Sequence, residues 1–441
     1  MQKHSPQSKE LKLSSSVIKY LVTALIVFIP LYIKFPLFKI PGTYVSIRME
    51  DFLIGLTFIA LITVYLKEFL NILKNNISKS ILIFWLIGFI SLLSGLFVTE
   101  TVGGMIGVLH WLRRIEYMIL FFVGYIFIKK CNDKENILYL IKVLLLVNLF
   151  IFVYGIGQRY IGFPVIVTQN EEYSKGIALR WINGAHINST FAGHYDLASY
   201  LLLTMPIFIN FFFLAKRNLI KTMLGVSIAL SYWLIAMAAS RISIISLLIS
   251  IGIGLILIKK YKEIILVFLI SFIIFGFSPI LKARYIRLFD VVRDKITSIG
   301  LVYAQSTEVF EDRSTSIRLN VEWPRAIRSL TKNPLLGTGY SSISLATDND
   351  YLRALGEVGI LGFSAFMLVF VNIYKLIIKS LRNIGKLDIS ERVFVTGYIG
   401  GIIGTLSNAM FIDIFEASKF ATIFWLFMGI TTAKLIQSQN E

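Results

Sequence analysis

The chain has one cysteine, Cys131, four histidines and only 16% charged residues in a length of 441. A single cysteine excludes an internal disulfide, and so few scattered thiols and imidazoles argue against a dedicated zinc or haem site. So low a charged fraction, beside 56% hydrophobic and 14% aromatic residues, excludes an ordinary soluble domain. The apolar runs lack the alternation of a transmembrane β-barrel, which leaves helices as the spanning structure that satisfies the backbone. The stretch MQKHSPQSKELKLSSS is followed by a run too long for a signal-peptide core and without a small-residue cleavage site. It reads as an uncleaved first helix.

A hydrocarbon core about 30 Å thick takes roughly 20 apolar residues as a helix. Twelve runs meet that need, at about 16–34, 50–66, 80–98, 106–128, 136–157, 192–214, 219–239, 242–258, 263–281, 351–374, 394–412 and 418–436. The expected fold is all-α, a polytopic unit over residues 1–441 with about twelve transmembrane helices.

A formal net charge of +18 would suit nucleic acid, but its distribution gives it another meaning. Segments 1–15, 67–79, 129–135, 215–221, 259–262 and 375–393 each hold three or more Lys or Arg. The intervening short segments are poorer, with Lys34, Lys39 and Arg48 in one, Arg159, Lys175 and Arg180 in another, and Arg241 and Lys419 singly. This bias predicts cytoplasmic N- and C-termini, accounts for the basic excess through topology and anionic lipid, and gives no reason to expect a nucleic-acid partner. Residues 282–350 stand apart, because they fall on the outer side yet carry ten basic residues. A segment that long is exempt from the charge rule and is usually functional. Its start, ARYIRLFDVVRDKITSI, and its later part, EDRSTSIRLNVEWPRAIRSLTKNPLLGTGYSS, read as amphipathic helices, the second ending in a Pro and Gly turn.

Charges near a membrane are costly, so those at the outer helix ends are functional candidates. Arg241 follows Ser240 on an almost absent loop, where an anionic substrate and a structural carboxylate are alternative partners. Arg180, His186, His194 and Asp196 share another outer loop. Asp348, Asn349 and Asp350 precede the tenth run, where carboxylates suit a helix N-terminus and where a capping role is the alternative to a site. Arg353 and Glu357, four apart, are spaced to pair, and glycines 356, 359 and 362 are spaced for close helix packing. Arginines beside carboxylates in an outward cavity suit a diphosphate, because the guanidinium fork gives charge-assisted bonds without metal.

Four segments carry a family resemblance: RWINGAHINSTFAGHYDLASYLLLTMP, AASRISIISLL, IRLNVEWPRAIRSLTKNPLLGTGYSS and DNDYLRALGEVGILGF. In order, spacing and outer placement they resemble the O-antigen polymerase and ligase family, the Wzy-like and WaaL-like integral membrane glycosyltransferases. The resemblance implies glycosyl transfer from undecaprenyl-diphosphate-linked glycans on the outer face of the cytoplasmic membrane, without cofactor or metal, with the bilayer and a chain-length regulator as partners. For such a transfer Arg180, Arg241 and Arg318 are the candidates to meet the diphosphate and Asp348, then His194, the candidate base; Asn349 and Asp350 are candidates for the glycan, as are Trp323 and Tyr340, for which interfacial anchoring is the alternative. Ligases of the family typically carry histidine where this chain has Asp348, which favours a polymerase. Ligase and membrane transporter are the alternatives.

Overall fold

A computed structural model describes residues 6–131, 135–165, 186–276, 317–343 and 346–440. The first half of the expected outer loop, and Arg180, lie outside the described residues. The helices are α1 (Pro6–Leu31), α2 (Met49–Thr63), α3 (Leu66–Ile72), α4 (Asn76–Phe97), α5 (Gly104–Lys130), α6 (Glu135–Ile156), α7 (His194–Leu214), α8 (Asn218–Ala238), α9 (Arg241–Leu257), α10 (Tyr261–Gly276), α11 (Trp323–Lys332), α12 (Asp350–Ser380), α13 (Ile389–Asn408) and α14 (Ser418–Asn440).

Over the described residues each of the twelve apolar runs falls largely on helix, because a backbone without water meets its own hydrogen bonds most simply that way. Among the described residues seven helices are long and apolar enough to cross a membrane, or eight if the bent pair α2 and α3 forms one span. The second run does not continue as one rod: α2 ends at Thr63, and α3 leaves at 91°. The all-α expectation needs one amendment. Strands β1 (Pro36–Lys39) and β2 (Ser46–Arg48) pair antiparallel, and Gly42 in the connecting turn takes φ 75°. Two prolines and a glycine forbid helix across 36–42, while Tyr44, Val45 and Ile47 favour an extended chain.

α5 packs on α14, α13 on α7 and α9, and α12 on α4. The first contact is a backbone-to-backbone approach: a Cβ on Gly124 would run into the Leu426 carbonyl, and one on Gly429 into the Phe121 carbonyl. Lys419, at the start of α14, donates to the carbonyls of Pro30, Tyr32 and Thr190, and so fixes that helix to the end of α1.

α12 is broken. Gly359 has φ 67° and ψ −173°, a conformation reserved for glycine. The segment after α11 splices into the break. Thr338 and Gly339 donate to the carbonyls of Gly356 and Glu357, and Ile360 and Leu361 donate to those of Pro334 and Leu335, at 2.8–3.1 Å. The backbone groups freed by the break are thus met by another stretch of chain. Of the three glycines expected to serve packing, Gly356 lies close against Ala326 of α11, while Gly359 makes the break.

Candidate active site

The start of α12 is built by capping. Asn349 is the N-cap, its side-chain oxygen accepting from Tyr351 N and Leu352 N at 3.0 Å each. The buried Asp413, in the turn between α13 and α14, accepts from Thr347 N at 2.7 Å and Asn349 N at 2.9 Å. Both neighbours of Asp348 are therefore clamped by one carboxylate. Asp348 itself has φ 49°, in the left-handed region that aspartate tolerates better than most residues.

In that position Asp348 meets Arg318, which opens a π-helical turn, Arg318–Glu322, leading into α11. Arg318 Nε and Nη2 both donate to Asp348 Oδ2, at 3.0 and 2.7 Å. Burial disfavours the Arg318 charge, but the Asp348 carboxylate and the Tyr195 hydroxyl favour it more, and the guanidinium is held above its usual range. Tyr195 lies in the first turn of α7 beside His194, whose ring lies tilted against Tyr195 at 4.0 Å and against His186 at 3.9 Å between centroids. Trp323 follows on α11, its ring 6.4 Å from that of Phe411. Arg318, Asp348, Tyr195, His194 and Trp323 thus gather at one end of the bundle.

Arg241 begins α9 after the N-cap Ser240. Ser243 Oγ donates to Asn408 Oδ1, whose amide nitrogen donates to Ser199 Oγ, joining the neighbouring ends of α9, α13 and α7. Two expected glycan residues lie elsewhere. Asp350 turns inward, its Oδ2 accepting from Ile414 N and Phe415 N at 2.8 and 3.2 Å. Tyr340 is buried, fitting the slot that Gly88 leaves in α4, with the Arg114 guanidinium 6.0 Å from its ring centre. Asn349 is occupied by its cap.

Sequence reasoning missed the charged network behind the site. Arg353 reaches Glu357 at 3.5 Å, the expected pair, but also Asp413 at 2.8 Å and Glu416 at 3.1 Å. Glu416 also pairs with Arg114 of α5. Arg114, Arg353 and Glu416 line two small adjoining cavities of about 50 and 40 Å³, the first also lined by Glu357 and the second by Lys34, Arg48, His110 and Arg113. Such volumes hold a few waters but no sugar.

Fold and site together define a polytopic helical membrane protein with a paired arginine and carboxylate at the N-terminus of a broken helix. Residues 226–367 match the family model Wzy_C, described as O-Antigen ligase. The match supports the Wzy-like and WaaL-like family that the motifs resemble, and it spans Arg241, Arg318, Trp323, Tyr340, Asp348, Asn349 and Asp350 but not Arg180 or His194. Comparison with curated proteins gives no match.

Proposed function

We propose that the chain polymerises lipid-linked oligosaccharide repeat units, carried on undecaprenyl diphosphate, into a surface polysaccharide. The reaction is glycosyl transfer without metal, on the outer face of the bacterial cytoplasmic membrane. The observation that supports it most is the Arg318–Asp348 pair, which falls inside the segment matched to the family. In this reading the chain crosses the membrane twelve times with both termini in the cytoplasm, and residues 282–350 lie outside.

The chemistry follows from the leaving group. Undecaprenyl diphosphate departs readily if its developing charge is met, and Arg318, Arg241 and Arg180 supply that charge. Asp348 fixes the Arg318 fork and is the first candidate to orient the acceptor hydroxyl and take its proton; His194 is the second. Direct displacement inverts the anomeric centre. Trp323 offers the sugar a ring, while Tyr340, Asn349 and Asp350 support the site from behind.

The matched family's description as a ligase favours a second reading, in which finished polymer moves to another acceptor. Purified protein in nanodiscs separates the two. Lipid-linked repeat units alone give a product ladder for a polymerase; product that forms only when lipid A core is added means a ligase. The break in α12 is a feature shared with transporters, whose broken helices bind ions through free backbone groups. Here those groups are taken up by residues 334–339, which weighs against transport.

A further inference from the structure

Two adjacent residues beside the Arg318–Asp348 pair carry buried polar atoms left unsatisfied. Glu322 Oε2 and Trp323 Nε1 are shut off from solvent within half-buried residues, and neither has a hydrogen-bond partner among the described residues. Unmet buried donors and acceptors are costly, so two of them beside a candidate site point to a ligand group that meets them there. The indole only donates, and a carboxylate only accepts. A hydroxyl does both, which makes it a class of group able to meet either atom.

The surroundings favour such a ligand. Glu322 comes four residues after Arg318 and lies within the electrostatic reach of Asp348 and Asp413 and, on its own segment, of Arg318 and Arg325. Trp323 faces Phe411, two residues before Asp413. Both residues therefore look towards the turn between α13 and α14 and the start of α12.

Resting on the glycosyl-transfer reading above, we propose that Glu322 takes the proton of the acceptor sugar hydroxyl while Trp323 Nε1–H orients its oxygen. As that oxygen bonds to the anomeric carbon of the donor, its proton passes to the Glu322 carboxylate. The bond from the anomeric carbon to the diphosphate oxygen breaks, and its electron pair leaves on undecaprenyl diphosphate. The proton then passes from Glu322 to water. Asp348 serves this step less well, because Arg318 already occupies its Oδ2 and a neighbouring cation weakens a carboxylate as proton acceptor. Burial first, then Asp348 and Asp413, push the Glu322 carboxyl up to about 8, against the pull of Arg318 and Arg325. Its ionised form is correspondingly a strong proton acceptor near neutral pH.

The test compares wild type, Glu322→Gln and Glu322→Asp in nanodiscs, with purified lipid-linked repeat units as substrate and initial rates taken across neutral pH. The wild-type rate should rise towards a plateau above about pH 8. Glu322→Gln should lower kcat about 10²- to 10³-fold, leave KM for the donor within a few-fold and lose the pH dependence. A Gln variant within threefold of wild type overturns the proposal, and so does a slow one that keeps the wild-type pH profile. If the Gln variant fails to insert, Glu322→Asp decides: a displaced pH limb supports the role, and an unmoved one overturns it. Wild-type protein that makes no polymer removes the polymerase reading itself, whereas a polymerising wild type beside an unaffected variant removes only Glu322.

Discussion

Arg353 and Asp413, sixty residues apart in sequence, meet at 2.8 Å in the interior of the bundle, and the same carboxylate holds the backbone on both sides of Asp348. Structural charge and candidate chemistry are joined at this point. Asp413→Asn removes the charge but leaves Glu357 and Glu416 facing Arg353. The expected loss is roughly 3 kcal/mol, at the low end for breaking a buried pair, together with reduced transfer as Asp348 loosens. Thermal unfolding in detergent measures the first effect; an unchanged midpoint contradicts it.

Gly359→Ala tests the break in α12. Alanine cannot adopt φ 67° with ψ −173° cheaply, and its Cβ would meet the Leu335 carbonyl and Gly337 N. Backbone strain and overpacking together should cost at least about 3 kcal/mol. Size-exclusion chromatography should show little monodisperse protein. Normal yield and stability would mean that the break is dispensable.

Arg318→Ala and Arg241→Ala should each lower transfer by about 10²-fold or more while insertion remains intact. Arg318→Lys should restore little, because an ammonium cannot reproduce the Nε and Nη2 contacts to Asp348. Normal product lengths from either alanine variant would count heavily against the site.

Glu322 carries a pH-dependent stability effect separate from catalysis. Its carboxyl is raised from 4.5 to about 8 in the folded protein, so between those values the folded state holds a proton that the unfolded state has released. Unfolding then releases a proton, and stability falls as pH rises across that window. Glu322→Gln cannot ionise. Its melting temperature should gain on wild type from pH 5 to pH 8 and change little in relative terms above that; parallel curves would show that the carboxyl is not perturbed.

The helices were legible because a membrane span must be a long apolar run, and the runs fall on helices, of which seven or eight among the described residues are long and apolar enough to cross a membrane. The hairpin at 36–48 was not, since a short strand pair leaves too few residues to stand out between spans. Nor was the break at Gly359. The stretch LGEVGILGF reads locally as continuous helix, and what opens it is a segment that begins some 25 residues earlier. Arg318 and Asp348 were each singled out by residue type and place, but their contact depends on the fold of the chain between them. Arg353 was matched to Glu357 by helical spacing, which carries no trace of Asp413 or Glu416 on a distant turn. Glu322 had a faint signal in its position four residues after Arg318, easily read as a solvated charge on an amphipathic helix.

The most direct test of polymerisation is the product distribution from wild-type protein in nanodiscs given one purified lipid-linked repeat unit and nothing else. Polymerisation requires chains of two or more repeats, with one undecaprenyl diphosphate released for every bond formed. Unchanged substrate from protein shown to be folded would contradict it.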